Sequence, residues 1–385
     1  MICILLSMVL SGSAESGHML LGPGSTCMMA VSADGSIWGW GENGNGQLGL
    51  GNKKRQLQPV RTAENLDGNE VVQIRGGKAH MLFLLQDGTM YACGHNAEGQ
   101  LGLGKTGKDV LIPQQIPELS GIRQFAVGHN HALALDTEGH VWAWGQNDKG
   151  QVGNGTRKNQ AEPWKLPLEN ISRVVCGRKF SLAMAEDGTI YGWGDNEYGQ
   201  LLNASRLKPV LEPVRLELNA QYTDLCCGNA SVLALDTEGI LWAWGRNDYW
   251  QLGNREAGKK QTEPVRVVFP EPVSIAYMDG FNIHSAILTE QGAVWQWGAC
   301  GHGQYGLGER PWRSLAVQAC PAQNVMKVAV NTYTSYILMD DGRVLACGGN
   351  WYGQAGTHRK ISHYVMNWTE TGLNLLDSQW QDPNN

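Results

Sequence analysis

One stretch of sequence occurs seven times along this chain of 385 residues, at intervals of about 50 residues. Each copy follows the pattern W-G-x-N-x-x-G-Q-L-G or a close variant of it. The first position is held by Trp40, Cys93, Trp144, Trp193, Trp244, Trp297 and Cys347. The glutamine position is held by Gln47, Gln100, Gln151, Gln200, Gln251, Gln304 and Gln354. Repeats of this length are typical of solenoids and propellers, so nearly the whole chain is predicted to form one repeat domain.

A second landmark, usually an acidic residue followed by glycine, lies six residues before each Trp/Cys position, as in Asp34-Gly35 and Glu138-Gly139. Since Asp-Gly between two apolar runs is a hairpin signal, those runs are predicted to be antiparallel strands joined by a two-residue turn. A third apolar run precedes them. A Pro-Val segment such as Pro59-Val60 fits an outer edge strand, where proline is tolerated. Seven such four-stranded antiparallel sheets predict an all-β, seven-bladed β-propeller.

The two chain ends are predicted to close the ring together. Residues 17–24 align with the third run of the other copies, and the run Tyr364–Trp368 aligns with Pro59-Val60. We therefore expect blade one to take its inner strands from the N-terminus and its outer strand from the C-terminus, which would leave no exposed sheet edge. The predicted organisation is an apolar leader over 1–16, the propeller over 17–370 and a C-terminal tail over 371–385.

The first ten residues are apolar and are followed by small residues up to Ala14. They fit a short signal peptide cleaved near Ala14, although no Lys or Arg precedes the apolar run. They also fit an extra packed N-terminal strand, a disordered leader or an artefact of the start site. A signal peptide would make the protein secreted.

Composition excludes several classes of protein. With 50 Gly but 42 % hydrophobic residues and 15 Trp, the chain is not a disordered Gly-rich sequence. Its net charge of −6 gives no long-range attraction to nucleic acid or to an anionic membrane. No apolar run is long enough for a membrane span. We expect a monomer that has no membrane span and does not bind nucleic acid.

The nine cysteines show no metal-ligand spacing and no disulfide framework. Several of them occupy repeat positions, Cys93 and Cys347 among them, where a small buried apolar residue would fit. They are predicted to be free structural thiols, which favours a reducing, cytoplasmic compartment.

The repeat pattern resembles that of a known family. W-G-x-N-x-x-G-Q-L-G, preceded by G-x-x-H-x-x-A-L-x-x-D-G as at Gly128–Leu135, is similar to the regulator of chromosome condensation repeat. The resemblance covers about residues 17–370 and itself implies a seven-bladed propeller. It also implies several functions, since the family includes guanine-nucleotide exchange factors that bind chromatin, ubiquitin-ligase modules, trafficking proteins and secreted bacterial proteins, one of which inhibits β-lactamases. The short repeats leave no room for the inserted hairpin implicated in nucleotide exchange, and the tail lacks basic residues for DNA.

Motifs that suggest chemistry are explained by the repeat. Gly99–Thr106 matches a phosphate-binding loop, but it is the turn of the second copy rather than the start of a helix. His80, His131 and His284 share one position with Cys27, Phe180, Ser231 and Thr334, which indicates packing. His129 and His131, two residues apart on a strand, could bind a metal ion together, but no third ligand is evident. No catalytic residue, cofactor or metal site is therefore predicted.

Function is sought in the positions that the repeat leaves variable. These turn positions are polar in the first three copies and aromatic in the last four: Tyr198, Tyr249, Trp250, His302, Trp351 and Tyr352. Exposed aromatic residues on adjacent loops are the composition of a protein-binding hot spot. The other interpretation is that these rings stack on neighbouring loops and stiffen them.

Four classes of function follow. The first is a non-enzymatic scaffold that holds another protein on this aromatic rim. The alternatives are a guanine-nucleotide exchange factor for a small GTPase and a secreted bacterial inhibitor-type propeller. An enzyme that uses the central channel forms another class, for which no catalytic constellation is readable.

Overall fold

The computed structural model describes residues 19–66, 69–202, 207–320, 324–357 and 363–381. Its strands form seven antiparallel sheets, each with its strands in sequence order, and this confirms the seven-bladed propeller. The predicted leader over 1–16 lies outside the described residues, as does the end of the tail.

The first four blades contain four strands each. Blade one comprises β1 (Leu20–Pro23), β2 (Cys27–Val31), β3 (Ile37–Gly41) and β4 (Gln56–Arg61), and a 3-10 helix (Glu64–Leu66) follows it. Blade two comprises β5 (Val71–Gly76), β6 (His80–Leu85), β7 (Met90–Asn96) and β8 (Gly107–Gln115). Blade three comprises β9 (Ile122–Val127), β10 (His131–Asp136), β11 (Val141–Gly145) and β12 (Gln160–Lys165). Blade four comprises β13 (Ile171–Cys176), β14 (Phe180–Ala185), β15 (Ile190–Gly194) and β16 (Val210–Arg215).

Blades five and six also contain four strands each, and blade seven has a short fifth strand in addition. Blade five comprises β17 (Tyr222–Cys227), β18 (Ser231–Asp236), β19 (Leu241–Arg246) and β20 (Lys260–Arg266). Blade six comprises β21 (Ile275–Phe281), β22 (His284–Thr289), β23 (Val294–Ala299) and β24 (Arg313–Cys320). Blade seven comprises β25 (Val325–Val330), β26 (Thr334–Met339), β27 (Arg343–Gly349), β28 (Tyr364–Asn374) and β29 (Gln379–Trp380). The first strand of each blade lies nearest the ring axis, and the second strand is buried on both faces.

The predicted exchange of strands between the chain ends is wrong. Tyr364 pairs with Gly349 in blade seven, whereas Val60 pairs with Gly39 in blade one. Each outer strand therefore follows the three inner strands of its own blade, and every blade is one continuous segment. The physical reason is that the repeat turn, which follows the third strand, leads the chain back to that same strand, so the fourth strand pairs with its nearest neighbour along the chain.

Ring closure instead depends on contacts across the seam between blades seven and one. The Trp40 Nε1 donates a hydrogen bond to the Gln354 carbonyl at 2.9 Å. The Lys327 ammonium donates to the Met19 carbonyl at 2.6 Å, and the Ala33 amide donates to the Leu375 carbonyl at 2.8 Å.

The seam bond of Trp40 recurs at all seven boundaries between blades. The side chain at each Trp/Cys position donates to the carbonyl of the repeat glutamine in the preceding blade. The distances lie between 2.9 and 3.5 Å for the pairs Trp40–Gln354, Cys93–Gln47, Trp144–Gln100, Trp193–Gln151, Trp244–Gln200, Trp297–Gln251 and Cys347–Gln304. The five indoles are fully buried. The most regular residues of the repeat therefore join neighbouring blades.

The rest of the repeat motif holds the turn in shape. In the first copy the Asn43 side-chain oxygen accepts from the Leu48 amide, and the Gln47 side-chain oxygen accepts from the Asn45 amide. The glutamine bond occurs in all seven copies. Copy six has Cys300 in place of the asparagine, and there the buried Tyr305 hydroxyl donates to the Gly298 carbonyl at 2.8 Å.

The Asp-Gly hairpins are longer than predicted. In blade one the Ser32 amide donates to the Ser36 carbonyl, which leaves a three-residue loop rather than two. The glycine of all seven loops has φ between 78° and 84°. This left-handed glycine is what a three-residue hairpin loop requires at its last position.

The bond between blades can be tested with two matched tryptophans. We expect Trp144→Phe to lower the free energy of unfolding by about 1–2 kcal/mol more than Trp193→Phe in urea titrations. Both variants lose an indole donor, but the Ser181 hydroxyl still donates to the Gln151 carbonyl at 2.9 Å. Gln100 has no second donor among the described residues. Equal losses in the two variants would contradict this role of the indole bond.

Candidate functional site

The seven repeat turns lie on one face of the ring, which we call the turn face. In every blade an amide at the end of the third strand bonds the loop between the first two strands, as Gly349 N does with Tyr333 O at 2.8 Å. Both loops therefore lie at the same end of the blade. The Asp-Gly hairpins lie at the opposite end, because antiparallel strands alternate in direction.

All six predicted rim residues lie in the turns, and all are half-buried. Their ring contacts divide them into groups. Tyr198, Tyr249 and Trp250 belong to one group, His302 and Trp351 belong to a second, and Tyr352 stands apart beside Arg55 of blade one.

The first group, which we call the blade-five cluster, alternates aromatic rings with cations. Its rings are Tyr198, Tyr249, Trp250 and Trp312, and its cations are Arg246, Arg255, Lys260 and Arg313. The Arg246 guanidinium lies 5.0 Å from the ring centre of Tyr198 and 5.8 Å from that of Tyr249. Such cation–π contacts stabilise exposed sites by about 0.5–1 kcal/mol each. The cluster thus joins blades four, five and six.

Trp250 occupies a backbone conformation that normally requires glycine. Its φ is 61°, and the other six copies place a glycine there with φ between 76° and 81°. A bulky residue in this left-handed region costs about 1–2 kcal/mol. The Arg313 guanidinium covers the ring at 4.2 Å and also donates to the Asp248 carbonyl at 2.7 Å. Backbone strain of this kind tends to persist at functional sites.

Sequence reasoning missed Trp312, the most exposed large hydrophobic residue of the described chain. Its exposed fraction is 69 %, and its ring centre lies 5.7 Å from that of Tyr249. It lies between the turn and the outer strand of blade six, outside the repeat positions. The run Arg310-Pro-Trp-Arg313, which repeats nowhere else in the chain, was the available signal.

The second group, which we call the blade-seven cluster, is packed more tightly. It comprises His302, Tyr333, Trp351, His363 and Tyr364. The His302 ring lies 4.9 Å from Trp351 and 4.8 Å from Tyr333, in edge-to-face contacts. Burial and the nearby Arg310 lower the pKa of His302. This geometry fits the stacking interpretation, so Trp351 has a structural part here.

The motifs that imitate chemical sites have structural explanations. Gly99–Thr106 forms the turn of blade two, and β8 rather than a helix follows at Gly107. Among the residues that the structure describes, no three His, Cys, Asp or Glu side chains could hold a metal ion together. The eight cysteines of the described ranges are free thiols. No helix in those ranges is long and apolar enough to cross a membrane.

The histidine position packs against the next blade. The ring nitrogens of His131 and His284 lie 3.1 and 3.3 Å from the hydroxyls of Ser181 and Ser335. Neither ring nitrogen of His80 is hydrogen-bonded to any residue that the structure describes. Burial lowers the pKa of all three histidines to about 3. They are therefore neutral packing groups, as the sequence predicted.

Three protein-family models match the chain. An RCC1-like domain matches residues 122–371. The regulator of chromosome condensation (RCC1) repeat matches residues 34–84 and 87–135, and a second model of that repeat matches residues 71–100. Together they cover most of the propeller.

Several curated proteins are similar to the chain. The E3 ubiquitin-protein ligase HERC2 of Homo sapiens is 31 % identical over 356 residues, which cover 89 % of this chain but 7 % of that protein. The ultraviolet-B receptor UVR8 of Arabidopsis thaliana is 32 % identical over 77 % of this chain and 69 % of its own length. The secretion-regulating guanine nucleotide exchange factor of Mus musculus is 30 % identical over 72 % of this chain and 62 % of its length.

Solved structures share the fold at lower identity. Prp20p from Saccharomyces cerevisiae superimposes with a TM-score of 0.79 at 21 % identity, covering 95 % of this chain and 88 % of that one. Human WBSCR16 gives a TM-score of 0.76 at 19 % identity, covering 88 % and 94 %.

The buried histidines predict a pH dependence of stability. Their folded pKa lies below the ordinary value of 6.5, so the unfolded chain binds more protons, and stability falls as the pH drops from about 6.5 towards 3. We expect His80→Phe, which copies Phe180 of blade four, to reduce that slope by up to about 1.4 kcal/mol per pH unit. Urea titrations between pH 7 and pH 4 measure it. An unchanged slope would show that His80 is not buried as a neutral ring.

Proposed function

Because the chain belongs to the family of regulator of chromosome condensation repeat propellers, in which one fold serves several functions, we propose its own function from its turn face: it is a non-enzymatic propeller that binds another protein there. The contact surface is the aromatic rim of blades four to seven, centred on the blade-five cluster. The ring holds these turns in place before binding, so little ordering cost is added on association.

Trp250 is the observation that carries this proposal. The fold works with glycine at this position in the six other blades, so packing of the ring does not require a tryptophan there. The same site exposes Trp312, and tryptophan and arginine are the residues most enriched in binding hot spots. A strained tryptophan and an exposed one, both flanked by arginines, favour a binding surface over a merely stiffened loop.

The blade-seven cluster has a supporting role in this proposal. His302 and Trp351 stack with Tyr333 and Tyr364, and Tyr352 lies under the Arg55 guanidinium at 5.0 Å. These rings extend the rim and hold its shape. We therefore expect their loss to affect stability as well as binding.

A guanine-nucleotide exchange factor is the second candidate. Its support is the likeness to the secretion-regulating exchange factor of mouse and the fold shared with yeast Prp20p. Within the described residues, the two-residue strand β29 is the one strand in excess of four per blade. The inserted hairpin implied by the family resemblance therefore has no counterpart there.

Two substitutions in the blade-five cluster test the binding surface. We expect the double variant Trp250→Gly with Trp312→Ala to lose a partner that the parent chain captures from lysate of its own organism, read by quantitative mass spectrometry. The matched control is Trp164→Ala, because Trp164 is 48 % exposed on the outer strand of blade three, away from the turns. Equal capture by the double variant and the control would contradict the proposal.

The stability of Trp250→Gly separates binding from stiffening. Glycine relieves about 1–2 kcal/mol of left-handed strain but loses the cation–π contacts and adds chain entropy. We expect the free energy of unfolding to change by no more than about 1 kcal/mol. A loss of several kcal/mol would support the stiffening interpretation instead.

Nucleotide release separates the two candidates. We expect the chain not to accelerate release of a fluorescent GDP analogue from any member of a panel of small GTPases. Acceleration comparable to that of a known exchange factor would establish the second candidate in its place.

A further inference from the structure

A cavity of about 400 Å³ occupies the ring axis. The first strands of blades two to six supply most of its wall, and the loops of the turn face surround its mouth. Its volume lies in the range of small-molecule sites, whereas packed interiors contain few voids larger than a water molecule.

Side-chain size differs between blades at one level of the ring. The strand position level with Arg75 of blade two is held elsewhere by Gly22, Ala126, Val175, Cys226, Asp279 and Ala329. Ala126, Val175, Cys226 and Asp279 line the cavity with Arg75, and each fills less of it than a second arginine would. Gly22 instead allows blade one to approach blade two, because a Cβ there would lie 2.6 Å from the Ile74 side chain.

Charged groups fix the cavity wall. Arg75 reaches across the axis to the Asp279 carboxylate of blade six at 2.9 Å, and Asp279 also accepts from the Gly280 and Val330 amides. Arg173 pairs with Asp224 at 2.6 Å. Because these carboxylates are held by backbone amides as well, the guanidiniums are fixed in position before any ligand arrives.

Two polar groups at the cavity are not used by the fold. The Tyr277 hydroxyl and the Arg178 guanidinium make no hydrogen bond within the described part of the chain. Tyr277 exposes 44 % of its surface and lines the cavity. Arg178 is exposed at the mouth.

The mouth is rigid. Backbone hydrogen bonds run around it from loop to loop: Lys78 N to His129 O, His129 N to Arg178 O, Arg178 N to Asn229 O and Asn229 N to Asn282 O, at 2.7–3.1 Å. A ligand would enter a preformed site and would not have to order these loops.

We propose that this cavity binds a small anion that carries a phosphate or carboxylate group. Arg75, Arg173 and Arg178 line the cavity together with the carboxylate Asp279, in a chain whose net charge is −6. The arginines remain in excess when Asp224, the partner of Arg173, is counted as well. Arginine forks match the planar oxygen pairs of both anions. The Tyr277 hydroxyl donates to the bound anion, and Arg178 neutralises charge at the mouth.

Calorimetric titration of the full chain at constant ionic strength tests the proposal. The probes are inorganic phosphate, pyrophosphate, succinate and citrate, with neutral succinamide as the control ligand. We expect at least one anion to bind with one site per chain and succinamide not to bind. Comparison of the phosphates with the carboxylates identifies the preferred group.

Variants locate the binding. Tyr277→Phe removes one hydroxyl and Arg178→Gln removes one exposed charge, so both should fold; each should weaken the anion on the order of tenfold. The matched control Arg157→Gln, at an exposed site on a blade-three loop, should leave affinity unchanged. Absence of saturable binding by all four anions overturns the proposal, and so does binding that neither variant weakens.

Discussion

The hydrogen bond from each Trp/Cys position to a glutamine carbonyl in the preceding blade is the contact on which this structure depends. Blades are separate sheets, and no strand ladder joins one blade to the next among the described residues. The bond places one side chain and one turn in a fixed relation at every boundary. It includes the seam, where Trp40 meets Gln354 and closes the ring without an exchanged strand. The fold is thus held by the same contact used seven times.

Some turn positions are needed for the hydrogen bonds of the fold, and the other turn positions are free to serve function. The turn needs its asparagine, glutamine and glycines for its own hydrogen bonds, so the positions between them vary at little structural cost. On the same face the first-strand loops surround the axial cavity. Tyr333 belongs both to the blade-seven cluster and to the cavity wall, so the proposed protein surface and the proposed anion site are neighbours. A propeller of this family can carry two recognition sites at one end.

The sequence predicted the number and kind of blades, but it did not predict strand assignment, hairpin length or the features that occur once. The seven Trp/Cys and glutamine positions were sufficient for blade number and strand direction. They were not sufficient for closure, because a Pro-Val strand can be assigned to either neighbouring blade until its pairing is seen. Trp312 was missed because it lies outside the repeat. Several of the cations that cover the rim rings come from a neighbouring blade, as Arg313 does over Trp250, so no local pattern could reveal those contacts.

Hydrogen exchange of the tryptophan indole N–H groups, followed by ¹⁵N NMR, measures directly whether the bonds between blades are protected. We expect the indoles of Trp40, Trp144, Trp193, Trp244 and Trp297 to exchange only on global unfolding. The indoles of Trp250 and Trp312 should exchange rapidly in the free chain and slow when a partner is bound. Rapid exchange of the five buried indoles, or strong protection of Trp250 and Trp312 in the free chain, would contradict it.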